Sequence, residues 1–175
     1  IVYLFYYDKN KNLFWQEGEN MLKINITSVG KIKDSYIREG ILEFKKRLQK
    51  FSNFSIIEIQ EEDENKGKEN AINTESKKIL EFIGKKDGFN ILLDINGVNL
   101  SSPEMAKKVL EISNHTNKIN FIIGGSNGVN DEVKKAVDFK LSFSRLTFPH
   151  QLMRLILAEQ IYRWVSINNN IKYHK

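Results

Sequence analysis

The residues best suited to chemistry surround a glycine-rich loop, Gly124 to Gly128, late in the chain. The loop follows the apolar run 119–123, whose β-branched and aromatic residues predict a short buried strand ending in a turn. Glycines lack Cβ atoms, so a ligand can approach the backbone closely at such a turn. The spacing G-G-x-x-G departs from the dinucleotide pattern G-x-G-x-x-G, and no Gly-Lys-Ser/Thr motif is present. A nucleotide-phosphate site is therefore the weaker interpretation, and an ordinary strand-to-helix turn is the alternative.

A second candidate region follows, in which an apolar strand ending at Ser144 leads through Arg145–Phe148 into a helix. The ring of Pro149 pushes the preceding residue out of the helical region and suits the first turn of a helix from about His150 to about Ile167. Polar residues are scattered around this helix, so we expect it to be covered on more than one side. In a chain of 175 residues, part of that cover is expected from a second copy, in a homodimer.

The histidines do not form a metal-binding pattern. His150 follows Pro149, where its ring is expected to satisfy backbone groups at the helix start rather than to catalyse. His115 lies in a polar loop, and we assign it no role. The three histidines show no i, i+4 pairing and the chain has no cysteine, so no metal site is expected.

Composition bounds the class of protein. A length of 175 residues suits one domain with a real core, and 41% hydrophobic and 28% charged residues are ordinary for a globular protein. Without cysteine, disulfides, thiolate zinc sites and cysteine nucleophiles are excluded, and a cytoplasmic location fits. No run approaches the roughly 18 to 20 apolar residues that a membrane helix needs. The formal charge of +5 favours a polyanionic partner, though weakly.

Hydrophobic periodicity predicts alternating strands and helices along the chain. The predicted strands are about 22–27, 54–59, 90–95, 119–123 and 139–144, and the predicted helices start near 34, 69, 103, 131 and 150. This order implies an α/β fold with a mostly parallel sheet of five to six strands and helices on both faces. Because ligands bind at the carboxyl ends of such strands, three loops are candidates: Leu93 to Gly97, Gly124 to Gly128, and Phe143 to Phe148.

Two local signals refine these boundaries. Asn96-Gly97 predicts a turn at the end of the third strand. Ser102-Pro103-Glu104 predicts a helix start, with a hydroxyl cap, proline in the first turn and an acid facing the helix dipole.

Charge and the first residues add further expectations. The first helix carries a basic face of Lys45, Lys46, Arg47 and Lys50, for which a solvated surface and a contact with RNA are weighed about evenly. Residues 1–20 lack the features of a secretory signal. We expect them to be an extension outside the core fold, with residues 21–175 forming a single domain; an added strand or clamp is the alternative.

Three segments together resemble a known family. They are IIGGSNGV at 122–129, LSFSRLTFPHQLMRLILAEQIYR at 141–163, and the final Tyr173-His174-Lys175. The sequence resembles the ribosomal RNA large subunit methyltransferase H family, the pseudouridine N3-methyltransferases of the SPOUT (α/β-knot) superfamily. The resemblance extends from Met21 to Lys175 and includes VGKIK at 29–33.

The resemblance implies a C-terminal trefoil knot and a pocket for S-adenosylmethionine. The cofactor-binding positions it implies are Leu93, Gly124, Phe143, Ser144, Arg145, Leu146, Thr147 and Phe148. Such a pocket requires backbone donors and acceptors and apolar walls rather than a phosphate-binding lysine. Without the resemblance, ordinary core positions would be the preferred interpretation of Leu93, Leu146 and Phe148.

The implied reaction is methylation of N3 of a pseudouridine in large-subunit (23S) ribosomal RNA by a homodimer acting on the ribosome. N3 must lose a proton, and His174 is a candidate base because imidazole titrates near neutral pH. Tyr173 can stack on a base, and Lys175 can contact phosphate. Arg154 is expected to contact RNA or a subunit interface, with a surface pair to Glu159 as the alternative. A non-enzymatic ribosomal RNA-binding or assembly protein is the rival function.

Overall fold

The sheet and its helices are defined over most of the chain, since the computed structural model describes residues 21–63, 65, 67–84 and 88–173. The predictions for residues 1–20, His174 and Lys175 lie outside these residues. The elements within them are β1 (Leu22–Val29), α1 (Ser35–Leu48), β2 (Ser52–Ile59), α2 (Lys68–Ile83), β3 (Phe89–Asn99), α3 (Ser102–Ser113), β4 (Lys118–Ile123), α4 (Asp131–Ala136), β5 (Phe139–Ser142) and α5 (His150–Asn168).

The described strands form one five-stranded sheet in the order β2-β1-β4-β3-β5. Every neighbouring pair is parallel, so the carboxyl ends of all five strands lie at one edge. The predicted parallel α/β sheet is confirmed. The trefoil knot stays a prediction.

Helices cover both faces of the sheet. Side chains alternate along β1, so Ile24 and Ile26 join the larger core beneath α1, α3 and α5, while Val29 joins a smaller core with Ile79 of α2 and Val133 of α4. Within the described residues no helix is both long and apolar enough to cross a bilayer.

Helix α5 lies between α1 and α3, and none of its residues is exposed. The two helices α1 and α5 are in close contact at Gly40, where an added Cβ would lie 2.7 Å from a methyl carbon of Leu155. The sequence predicted a helix covered on more than one side, and the chain's own neighbouring helices supply much of that cover.

Two predicted boundaries are wrong. Strand β3 continues to Asn99, with a register shift between Leu93 and Val98 against β5, so Asn96-Gly97 lies inside a bulge rather than at a strand end. A glycine within a strand often marks such a bulge. The cap of α3 is Ser101 rather than Ser102, because the Ser101 hydroxyl accepts from the Glu104 backbone N–H and the Glu104 carboxylate accepts from Ser101 N–H.

A ladder of polar side chains crosses the face of the sheet that carries α2 and α4. Asn25 of β1 donates to Asn120 of β4 at 2.8 Å, and Asn120 donates to Asn90 of β3 at 3.0 Å. The hydroxyl of Ser55 in β2 donates to Asn25 at 2.6 Å. These residues are register partners, so the ladder fixes the alignment of four parallel strands near their amino ends.

Candidate functional site

The loops that follow β3, β4 and β5 enclose a cavity of about 460 Å³, here called the loop cavity. Its volume lies within the roughly 300–1,000 Å³ typical of small-molecule sites. The predicted cofactor-binding residues that line it are Leu93, Gly124, Phe143, Ser144, Leu146, Thr147 and Phe148. Arg145 is exposed and does not line it. The three predicted loops therefore meet at one site.

The β3 bulge forms the first wall of the loop cavity. The carboxylate of Asp94 accepts from the backbone N–H of Asn96 at 2.9 Å, which fixes the turn within the bulge. Gly97 is required because a Cβ there would lie 2.7 Å from the backbone of Lys140 and Leu141. The Ser142 hydroxyl lies 3.2 Å from the carbonyl oxygens of both Ile95 and Ser144, linking the first loop to the third.

The glycine turn forms the second wall. A Cβ added at Gly124 would lie 2.9 Å from Cγ1 of Val129 and 3.0 Å from the carbonyl group of Gly128. Gly128 has φ +79°, and its N–H donates to the Gly125 carbonyl at 3.0 Å to close the turn. The turn thus presents bare backbone to the cavity at a position where side chains do not fit.

A buried carboxylate supports this turn from behind. Glu75 of α2 is 6% exposed, and a Cβ at Gly125 would lie 2.5 Å from its Oε2. Its Oε1 accepts from the backbone N–H of Glu62 at 3.0 Å. Burial raises the pKa of Glu75, and the negative charges of Glu61 and Glu62 act in the same direction.

The third wall is apolar and open to solvent. Leu146 is 71% exposed and Phe148 39% exposed, although both line the cavity. The alternative that these two side chains belong to an ordinary core is therefore wrong; Leu93 remains partly buried against the larger core. The backbone N–H of Leu146 donates to the Ser144 hydroxyl at 3.0 Å, which shapes the segment. Exposed apolar side chains around a cavity indicate a surface that a ligand or partner covers.

The charged groups of the cavity do not form a phosphate site of the usual kind. Asp94 of the β3 bulge and Lys134 of α4 line it, together with His150. Burial lowers the pKa of His150, and the nearby positive charge of Arg154 acts in the same direction. The N-cap of α5 is Pro149, and the expected role of the His150 ring at the helix start stays a prediction. No cluster of His, Cys, Asp or Glu suited to a metal occurs in the described residues.

Arg154 lies inside the protein rather than on its surface. Its side chain is fully buried, one Nη donates to the Val29 carbonyl at 2.5 Å, and the other lies 3.7 Å from Glu58. The predicted alternative of a surface pair with Glu159 is wrong, since Glu159 pairs with Arg163. Contact with RNA is not available to Arg154 in this arrangement, because no part of its side chain reaches solvent. It holds the end of β1 against α5.

The family described as "Predicted SPOUT methyltransferase" matches residues 22–174. The protein named ribosomal RNA large subunit methyltransferase H from Fusobacterium nucleatum is 52% identical over 155 residues, which cover 88% of this chain and the whole of that protein. The protein of the same name from Caldicellulosiruptor bescii is 49% identical over 87% of this chain and 99% of its own length.

The chain belongs to the ribosomal RNA large subunit methyltransferase H family of SPOUT methyltransferases. Its fold is also similar to that of a solved structure, a "probable methylase family protein" from Haemophilus influenzae Rd KW20. That likeness has a TM-score of 0.52 at 16% identity and covers 90% of this chain and 71% of the other.

In this member of the methyltransferase H family, the end of the described chain folds back over α5. The hydroxyl of Tyr173 donates to Glu159 at 3.1 Å, and its ring packs edge-on against Tyr162 with centroids 4.8 Å apart. Arg163 pairs with the same carboxylate of Glu159. Burial and the adjacent Glu159 charge raise the pKa of Tyr173, so its hydroxyl stays protonated near neutral pH. Tyr173 does not line the loop cavity of its own chain.

Sequence reasoning missed several residues of this family member's cavity. Lys134 comes from the short helix α4, whose six residues show no pattern that would aim it toward a site. Asp94 and Ile95 fall within the predicted loop Leu93 to Gly97, but the sequence assigned neither of them a role in the site. Met153 follows from α5 periodicity as an interior residue, and only the structure shows that it also borders the cavity.

Proposed function

We propose that the protein transfers a methyl group from S-adenosylmethionine to N3 of a pseudouridine in 23S ribosomal RNA. The observation that carries the proposal is the meeting of three carboxyl-end loops at one cavity, in a chain that belongs to the methyltransferase H family. Action on ribosomal RNA places the protein in the cytoplasm.

The residues of the loop cavity suit the proposed cofactor. S-adenosylmethionine supplies an electrophilic methyl group on a sulfonium, and it has no phosphate that would require a phosphate-binding loop. The absence of a side chain at Gly124 lets the turn pack closely against Val129 and Gly128, and the backbone of this turn lines the cavity, where adenine or ribose would lie against it. Leu93, Leu146 and Phe148 provide apolar walls. Backbone groups of 143–148 would complete the set, as the family resemblance implies.

The protein's part in the reaction is positioning and proton removal. Methyl transfer is an in-line displacement, so holding the acceptor nitrogen opposite the methyl group supplies most of the rate enhancement. We assign His174 as the base that accepts the N3 proton and Tyr173 as a platform for the acceptor base. Arg154 is a positioning residue in this proposal, because it acts through Val29 at the end of β1.

A homodimer fits the placement of Tyr173. Glu159, which holds Tyr173, lies six residues along α5 from Met153, the nearest residue of α5 that lines the cavity, or about 9 Å at 1.5 Å per residue. Tyr173, the last described residue of the C-terminal tail, therefore lies outside the loop cavity of its own chain. In the proposal, the partner's cavity receives this tail, so each site needs both subunits.

The test is methyl transfer with position mapping. Purified protein is incubated with isotopically labelled S-adenosylmethionine and ribosomes from cells that lack the homologous enzyme, and the 23S RNA is mapped by nuclease digestion and mass spectrometry. The proposal predicts one labelled pseudouridine, methylated at N3. Label on a uridine, or on another atom of the base, would reject the assigned acceptor. No transfer by protein that binds the cofactor would favour the rival function.

The rival function is a ribosomal RNA-binding or assembly protein without catalysis. The observation that favours it is the set of exposed lysines on α1, which would bind RNA equally well in the absence of chemistry. Salt-sensitive binding of RNA without any turnover would establish it.

A further inference from the structure

A second concave site lies at the edge of the sheet opposite the loop cavity. It has a volume of about 350 Å³ and is called the amino-edge pocket here, because it lies at the amino ends of β1 and β2. The residues that line it are Lys23, Asn25, Lys45, Gln49, Ser52, Asn53, Phe54 and Ser55. No carboxylate lines the amino-edge pocket in the part of the chain that the structure describes.

The floor of this pocket is rigid and polar. Asn25 and Ser55 belong to the ladder across the sheet, so their side chains are fixed by hydrogen bonds at 2.8 Å and 2.6 Å. Ser52 is 1% exposed, and its hydroxyl has no hydrogen-bond partner among the described residues. A buried hydroxyl without a partner is unusual and indicates a site that can accept a further polar group.

The charges of the pocket are positive and unneutralised. Lys23 and Lys45 are exposed, and neither forms an ion pair with a described residue. Lys46 and Lys50 extend the same positive surface along the end of α1. Cations in the last turn of a helix complement its dipole, which accounts for Lys45 and Lys46. That explanation does not apply to Lys23, which lies on a strand.

We propose that the amino-edge pocket binds a backbone phosphate of RNA and anchors the RNA substrate at a distance from the reacting base. Ammonium groups of Lys23 and Lys45 would supply the charge, and the amides of Gln49 and Asn53 are neutral donors at the rim. The strand register places Ser28 of β1 beside Ile123 of the loop cavity, so Lys23 lies five residues, about 17 Å along β1, from that level of the sheet. A ligand that occupies both sites must therefore be an extended polyanion. The choice of RNA as that polyanion rests on the proposed function.

The test compares two variants of equal charge. Lys23→Gln/Lys45→Gln removes both ammonium groups from the pocket, while Lys68→Gln/Lys77→Gln removes two exposed lysines of α2 that do not line the pocket. Binding of 23S ribosomal RNA and of poly(U) is measured between 50 and 200 mM salt. Each phosphate contact contributes about 0.7 to the salt slope for single strands. The pocket variant should lower the slope by about 0.7, which corresponds to an about threefold smaller loss of affinity over this range.

Two results would overturn the inference: equal slopes for the two variants, or a slope for the pocket variant that matches the parent. Cofactor binding by calorimetry and the melting temperature are measured in parallel, and both should stay at parental values in both variants. If the pocket variant shows the expected decrease in salt slope relative to the parent, but the parent does not bind S-adenosylmethionine, the inference about the pocket is supported and the proposed function fails. If the parent binds S-adenosylmethionine but the pocket variant keeps the parental salt slope, the inference about the pocket fails and the proposed function is unaffected.

Discussion

Substitution of Gly124 by alanine tests whether bare backbone at the glycine turn is needed for the cofactor. The new methyl group would lie 2.9 Å from Cγ1 of Val129 and 3.0 Å from the carbonyl atoms of Gly128. Carbon atoms pack best at about 3.5–4.0 Å, so the turn must move by about 0.5 Å or more. Overpacking of this kind typically costs about 1–3 kcal/mol. We expect the melting temperature to fall by about 2–12 °C.

The same displacement moves the cavity wall, so cofactor affinity should fall at least about tenfold, equivalent to about 1.4 kcal/mol. Isothermal titration with S-adenosylmethionine measures this directly. Adding Val129→Ala removes one clash and leaves the clash with the Gly128 backbone, so the double variant should recover only part of the loss. Lys135→Ala, an exposed position on α4 that does not line the loop cavity, serves as the control and should bind as the parent does. Parental affinity in Gly124→Ala would refute the assignment of this turn to the cofactor.

Three further predictions follow from single contacts. Arg154→Ala leaves the Val29 carbonyl without its donor and opens a cavity in the interior, so it should lower the free energy of unfolding by about 3 kcal/mol. A denaturant titration measures this change, and a loss below about 1 kcal/mol would contradict the importance of the contact. Tyr173→Phe keeps the ring contact and removes the hydrogen bond to Glu159, so the rate of methyl transfer should fall about tenfold while the Kd for the cofactor is unchanged. Equal losses of transfer rate and of cofactor affinity would show a general structural effect. Burial raises the pKa of Glu75, so the stabilising contribution of this residue is present below about pH 4.5 and is lost as pH rises through the higher pKa of the folded state. The melting temperature of Glu75→Gln should therefore exceed that of the parent at pH 8, and the difference between the two should narrow toward pH 4.5. A difference in melting temperature that does not change with pH would contradict the raised pKa of Glu75.

The sheet and its layers could be predicted because each strand is a short apolar run separated from the next by an amphipathic helix. The loop cavity followed from the rule that ligands gather at carboxyl ends, together with the family resemblance. The knot cannot be inferred from periodicity, since threading of a chain depends on the path of loops and not on residue type.

Other features depended on packing that residue type does not encode. Arg154 shares the inward face of α5 with Leu157, Ala158 and Ile161 at helical spacing, so the pattern pointed to burial, yet its charge favoured a surface role. Leu146 and Phe148 show the opposite case, as apolar residues that the chain leaves exposed beside a cavity. The bulge at Gly97 was interpreted as a turn because both features favour glycine.

The most direct test of the central claim is a calorimetric titration of the full chain with S-adenosylmethionine, with ATP and NAD as competitors. The cavity described here predicts saturable binding that S-adenosylhomocysteine displaces and that neither ATP nor NAD displaces, because the glycine turn lacks the spacing of a phosphate-binding loop. Absence of saturable binding, or displacement by either nucleotide, would contradict the account.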